Sequence, residues 1–450
     1  HAQVGWLLGV RGVDGESTET IALRVAALLR AGQAKAALPW IEMVAAAQQD
    51  DGWVPVWFMA DGTPAPRLRM GQYAGQGQLA FMALEYYRFT QDAAFLQAMF
   101  PRLQNALAYL QRLRADQEKT DWLLPEDQRF LVDGLLPASG PRPGSAKPQH
   151  RYADQIWALL GWKETRTAAA LLGAEAEATW ADEQYRLLKA QVRRSLRARM
   201  DLMTGMWVPG AAEDEQLDIQ TVALLFWPGA ETDLVEPHEL QTSLDMFYAD
   251  FLQRRQPGWS GVMANDEGAL LGPLATMGRT DYAREVLYSL LDRRQPRGWQ
   301  SWPDISTSDP RQMGHVTAQP DIRAAALYFL GVRGLAARET DKQLDLFAGA
   351  PAEWLQHGEG FRVFGMPTAF GPLDLAGRWE QKEFTVEIGG GAQPPAGYRL
   401  WWPRNMRPIR VLADGRDVTD FDGTGVNLPP KFKGWVEVLF PQPAPWPRDP

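Results

Sequence analysis

The chain has 450 residues, 45% of them hydrophobic and 22% charged, which is long enough for a large core and more than one domain. Its net charge of -9, with no Lys/Arg cluster beyond the helical face 193–199, predicts no nucleic-acid partner, and no apolar run nears the roughly 20 residues that cross a bilayer. Cys is absent, and the five His hold no pair at ligand spacing. With no D-x-D-x-D-G loop either, the expectation is no disulfide, no metal and no cofactor.

The chain opens on His1 rather than Met, which reads as a processed or truncated product with any signal peptide outside it. Segments near 21–29 and 39–48 carry apolar residues three and four apart and predict two helices, the second with Pro39 in its first turn. A loop rich in Trp, Pro and Gly (50–73) leads to helices at 76–89 and 92–114. A long Pro-containing loop (121–151) precedes helices at 154–172 and 174–199, and further helices are expected near 217–226, 237–255, 266–277, 281–294 and 320–330.

These helices differ in character. Segments 78–84, 156–160, 219–226, 268–274 and 322–330 are apolar on all sides, whereas 92–114, 175–199 and 281–294 are amphipathic. A helix apolar all round is buried and a one-sided helix lies outside it. The alternation predicts a mainly α protein with an inner and an outer ring of helices, an (α/α)6 toroid or barrel over 1–338. Past Thr340 the pattern alternates in short runs broken by Gly, Pro and D-G turns, which predicts a β-sandwich over 339–450 with a Pro-rich tail.

In such a toroid the N-termini of the inner helices open at one end. Gln76 and Gln78, Asp154, Asp218, Asp266 with Glu267, and Asp321 fall at those positions. Each carboxylate has an ordinary explanation as a helix cap, worth about 0.3–1 kcal/mol against the helix dipole. Several converging on one opening point to chemistry. The 19 Trp add to this: most pack loops onto helix ends, and the remainder offer flat faces for sugar rings.

The stretches GQGQLAFMALEYYRFTQD, HRYADQIWALLGWKE and LLDRRQPRGWQSWPD, with LFAGAPAEWL and GMPTAFGPL beyond them, resemble the six-hairpin glycosidase superfamily, in bacterial proteins that are often parts of longer secreted chains. The resemblance covers nearly the whole chain. It implies the toroid-plus-sandwich fold, a carbohydrate substrate and an exported protein, periplasmic or secreted, with a cytoplasmic location left open. It also implies a general acid on an inner-helix loop and a base after a late aromatic. Asp304, in W-x-x-W-P-D, stands where such proteins carry Glu, which shortens the reach by a methylene and fits a changed geometry or a lost activity.

Glycosidic cleavage needs one protonated carboxyl at the leaving oxygen and one carboxylate opposite, about 6.5–9.5 Å away in inverting enzymes. The expected acid is Glu267, raised by Asp266 and by apolar Met263, Ala264 and Leu270, and the expected base is Asp304. Asp154 could exchange with Glu267 as the acid. Gln78, His150, Gln155, Asp218, Asp266, Asp321 and Arg323 are expected to hold sugar hydroxyls, and Trp53, Trp57, Trp259 and Trp302 to stack on ring faces. A polysaccharide lyase drawing on Tyr152, His150, His315 and Arg323 is one alternative, disfavoured by the excess of acids. A carbohydrate-binding or assembly protein with a degenerate site is a second, and an isomerase a third. Sugar, linkage and oligomeric state are open.

Overall fold

A computed structural model describes residues 2–9, 15–66, 73–116, 124–140, 147–203, 205–256, 258–264, 266–294, 298, 300–303, 305–307, 320–402 and 407–441. The fold is mainly α, with helices paired in the (α/α)6 pattern and a β-sandwich at the C-terminal end. Among the described residues no helix is long and apolar enough to cross a membrane.

The helices in chain order are α1 (Ala2–Gly9), α2 (Thr18–Arg30), α3 (Ala34–Ala46), α4 (Ala74–Thr90), α5 (Ala93–Ala115), α6 (Tyr152–Leu171), α7 (Glu175–Leu202), α8 (Ile219–Phe226), α9 (Pro237–Arg254), α10 (Leu271–Thr276), α11 (Thr280–Asp292) and α12 (Ile322–Ala336). The chain divides into two compact units: the first comprises His1–Leu28, Ala34–Asp266 and Gln295–Ala326, the second Leu29–Gln33, Glu267–Arg294 and Leu327–Pro450. The second unit thus takes in α10 and α11 together with the sandwich.

In the first unit, α4 is buried without a break from Ala74 to Tyr86, and α6 nearly so. These two cross backbone to backbone: a Cβ on Gly77 would lie 1.8 Å from the Trp157 carbonyl oxygen, and one on Gly161 would lie 2.9 Å from the Gly77 Cα. By contrast, α7 buries Ala181, Leu188, Val192, Leu196 and Met200 along one stripe and leaves most of its charges outside, with Arg199 buried and paired with Glu215. Asp92 caps α5 by accepting from the Phe95 N–H at 2.9 Å, and Glu236 with Glu239 forms a capping box on α9.

Residues 20–28 of α2 are buried despite the Arg among them. Arg24 is fully buried, ion-paired with Glu16, donates to the Leu7 carbonyl at 2.9 Å and lies 4.1 Å over the Trp40 ring. Two short antiparallel ribbons complete this unit: β1 (Glu16–Ser17) with β2 (Trp57–Phe58), and β3 (Val262–Ala264) with β4 (Ile305–Thr307).

In the second unit, β5 (Ala337–Glu339), β6 (Leu344–Leu346), β7 (Phe361–Met366), β8 (Leu373–Glu380), β9 (Glu383–Gly390), β10 (Tyr398–Trp401), β11 (Arg410–Ala413), β12 (Arg416–Asp417), β13 (Gly425–Leu428) and β14 (Gly434–Leu439) form two sheets. Their orders are β13-β10-β6-β5 and β12-β11-β14-β9-β8-β7. Leu344, Leu346, Tyr398 and Leu400 from one sheet share a core with Leu375, Trp379, Phe384, Val386 and Val438 from the other. Trp379 stacks on Phe384 and Phe440 at 5.1 and 4.7 Å.

Four departures from the expected elements have local causes. Helix α3 starts at Ala34, so Pro39 lies inside it rather than in its first turn; the buried face of Ala37, Ile41, Val44 and Ala45 holds the earlier turn despite the lost backbone bond. The helix α1 adds a partner for α2. The expected helix 266–277 opens as a 3-10 turn, Asp266–Leu270, before α10. The stretch AEWLQ is a short helix, α13 (Ala352–Gln356), among the strands.

Candidate active site

Within the first unit, four segments bring polar side chains together: the starts of α2, α8 and α12, and Asp266 at the head of the 3-10 turn. Each start has a reason in the sequence. The Ser17 hydroxyl accepts from the Thr20 N–H at 3.0 Å and opens α2. Asp218 caps α8, accepting from the N–H groups of Gln220 and Thr221 at 3.2 and 3.3 Å and from the Thr221 hydroxyl at 2.5 Å. Asp321 opens α12: its Oδ1 accepts from the Arg323 N–H at 2.8 Å, and its own N–H donates to the Trp302 carbonyl at 2.8 Å. The ribbon of β3 and β4 ends two residues before Asp266, with Ala264 opposite Ile305.

Arg323 ties three of these starts together. Its Nη1 donates to Asp266 Oδ1 at 2.6 Å and its Nη2 to Glu19 Oε1 at 3.2 Å. The second oxygen of Asp266 accepts from Gln220 Nε2 at 2.7 Å, which brings in α8. Both Asp266 oxygens therefore accept, which suits a carboxylate anion. Glu19, Asp266 and Arg323 keep 28, 21 and 19% of their side-chain surface, so the cluster is open to solvent on one side.

Asp321 differs from its neighbours. Burial pushes its carboxyl up to about 6; Arg323 pulls the other way, and the Asp266 charge adds to the rise. Both Asp266 oxygens thus accept from strong donors, while Asp321 is driven towards its protonated form.

The other residues expected at the site have mixed placements. Glu267, in the second unit, is buried at 1% exposure with Arg293 Nη2 at 3.1 Å from its Oε1. Asp304 and His315 lie outside the described residues. Asp154 and Gln78 are buried, in α6 and α4. Gln155 does not face a sugar: it is buried, its Oε1 accepts from the Leu136 N–H at 2.9 Å and its Nε2 donates to the Leu136 carbonyl at 3.5 Å, so it braces a loop. His150 is likewise buried, with Nδ1 2.5 Å from Glu213 Oε1 and its N–H donating to Glu213 Oε2 at 2.9 Å.

Trp53 and Trp302 are 4 and 1% exposed, so packing accounts for them and they present no ring face to solvent. Trp57 is 41% exposed and Trp259 half-buried. Tyr152, the base a lyase would use, is fully buried, bonded to Ser195 Oγ at 2.9 Å and pushed well above the ordinary phenol value by burial. Among the described residues no group of three or more His, Asp or Glu is arranged to hold a metal ion.

Glu19 and Gln220 were not expected. Segment 21–29, with Arg24 inside it and Arg30 just after, is assigned to neither ring from the sequence, so Glu19 ahead of it is not picked out. The T-E-T preceding IALRVAALL is the signal that could have found it.

No protein-family model matches the sequence, and no curated protein matches it. Solved structures do resemble the fold. An alpha-L-rhamnosidase from Dictyoglumus thermophilum aligns with a TM-score of 0.53 at 11% identity, covering 92% of this chain and 45% of that one. The GH78 family rhamnosidase of Bacillus sp. GL1 gives 0.52 at 12% identity over 86% of this chain and 38% of that one. An alpha-L-rhamnosidase from Aspergillus terreus gives 0.52 at 11% over 92 and 45%. At these identities the likeness establishes the helical barrel with its β domain, and the chain spans less than half the length of these three rhamnosidases.

Proposed function

We propose that this chain is a glycoside hydrolase acting on an oligo- or polysaccharide by a two-carboxylate, inverting mechanism. The observation that carries the reading is Asp321, a carboxyl at an inner-helix start pushed up to about 6 beside the Asp266–Arg323–Glu19 cluster. The fold supports it, since the compared structures are named as rhamnosidases.

In this reading Asp321 is the proton donor to the leaving oxygen. This is the role expected of Glu267, whose side chain is instead paired with Arg293. Asp304 is retained as the base that activates water on the opposite face of the sugar. Asp266, held by Arg323 and Gln220, supplies fixed negative charge for the oxocarbenium-like transition state. Exposed Trp57 and half-buried Trp259 are the ring faces left for stacking.

The test is turnover of a panel of neutral glycans and aryl glycosides headed by aryl α-L-rhamnosides, by wild type, Asp321→Asn and Asp304→Asn. Release of reducing sugar by wild type and its loss in both variants supports the assignment. NMR of the first-formed anomer reads inversion or retention. Binding without turnover across the panel refutes hydrolysis, and unsaturated products from a uronate polymer would mean elimination.

A further inference from the structure

We propose that Glu19 is a positioning residue: by dividing the Arg323 guanidinium between α2 and Asp266, it sets the pH window of the acid at Asp321. The inference rests on the reading of Asp321 as that acid. It starts from one cation and three carboxylates. Arg323 Nη1 serves Asp266 at 2.6 Å, Nη2 serves Glu19 at 3.2 Å, and the Arg323 N–H donates to Asp321 Oδ1 at 2.8 Å.

The groups facing this cluster come from four elements. From α2 there is Glu19; from the 3-10 turn, Asp266; from α12, Asp321 and Arg323; from α8, neutral Gln220 on Asp266, with Asp218 taken up in capping its own helix. Arg323 is the one cation bonded to them among the described residues. Glu19 touches neither Asp321 nor the proposed reacting atoms, so it acts through the cation.

The direction of its effect follows from charge. Arg323 favours the ionised form of Asp321 and the Asp266 charge favours the protonated form; a carboxylate at Glu19, bonded to the same cation, acts in the same sense as Asp266. Glu19 keeps Nη2 turned to α2 and adds negative charge to the cluster. Both effects hold the proton on Asp321 to higher pH. Without Glu19 the guanidinium is bonded to Asp266, the positive charge felt by Asp321 is less offset, and the proton leaves earlier.

The experiment compares wild type with Glu19→Gln, Arg323→Met and Arg323→Lys in two readouts. One is the carbon-13 NMR titration of the Asp321 carboxyl, which needs no substrate; the other is the pH dependence of kcat on an aryl glycoside. Glu19→Gln is expected to move both midpoints down by about half a pH unit, and Arg323→Met to move both up by about one or more. Arg323→Lys keeps the charge and is expected to stay nearer wild type. An NMR midpoint unmoved or raised in Glu19→Gln overturns the coupling, whatever the rate profile does. A shifted NMR midpoint without a matching shift in rate upholds the coupling and refutes the acid role of Asp321.

Discussion

Arg323 and Asp266 form a charged pair at 2.6 Å that joins the first turn of α12 to the head of the 3-10 turn Asp266–Leu270. The pair fixes one carboxylate as an acceptor and leaves Asp321, two residues before Arg323, as the carboxyl that burial drives towards protonation. A helix start that only needed a cap would have no use for this asymmetry, since an Asp cap works as an anion at the positive dipole end.

The rate should fall as pH rises through about 6, because only protonated Asp321 can donate. Above that point kcat drops roughly tenfold per pH unit. A pH–kcat profile flat from 5 to 8 would contradict the assignment.

Stability should show the same group with the opposite benefit. The folded carboxyl keeps its proton up to about 6, while an unfolded one releases it near 3.8. Between these values the native state binds more protons than the unfolded state, so stability declines as pH rises and then levels off. Asp321→Asn, which retains a cap, should therefore raise the urea midpoint at pH 7 and leave it nearly unchanged at pH 3.5.

Glu339 should behave in reverse. Burial alone would raise it, but Arg333 at 2.6 Å and Arg30 at 3.4 Å outweigh that and hold it at about 2, against 4.5 in an ordinary side chain. Its contribution is complete above about 4.5 and is lost as pH falls towards 2. Glu339→Gln removes the carboxylate shared by two largely buried guanidinium groups and should cost about 3–5 kcal/mol in chemical denaturation at pH 7.

Gly77→Ala should prevent α4 and α6 from closing, since the added Cβ falls 1.8 Å from a carbonyl oxygen in the partner backbone. Loss of the cooperative thermal transition is the expected result. Gly173→Ala is a poor control because Gly173 needs a positive φ, whereas Gly272→Ala meets nothing within 4 Å and should fold normally.

Much of the fold is legible in the sequence because burial writes itself as periodicity. Segments 78–84 and 156–160 are apolar on every side and are buried throughout in α4 and α6. The same logic fails for α2, whose Arg24 is buried against Glu16 and a Trp face; a compensated charge leaves a polar mark in an interior position. At the candidate site, Asp218, Asp266 and Asp321 are recognisable as helix-start acids. What separates them is tertiary: Asp218 is used up by the Thr221 hydroxyl, Asp266 by Arg323 and Gln220, and Asp321 alone is left to burial. Trp53 and Trp302 show the converse, loop tryptophans whose neighbours suggest exposure and whose rings are packed.

The central claim is that Asp321 gives the proton to the departing sugar oxygen, and leaving-group dependence tests it most directly. The measurement is kcat/KM of wild type and Asp321→Asn on two aryl α-L-rhamnosides, or on the aryl glycoside the panel identifies, one with a poor and one with an activated leaving group. The account predicts a loss of about 10²–10⁴-fold on the poor leaving group and near wild-type rates on the activated one, which needs no proton. Equal losses on both substrates, or no loss on either, would contradict it.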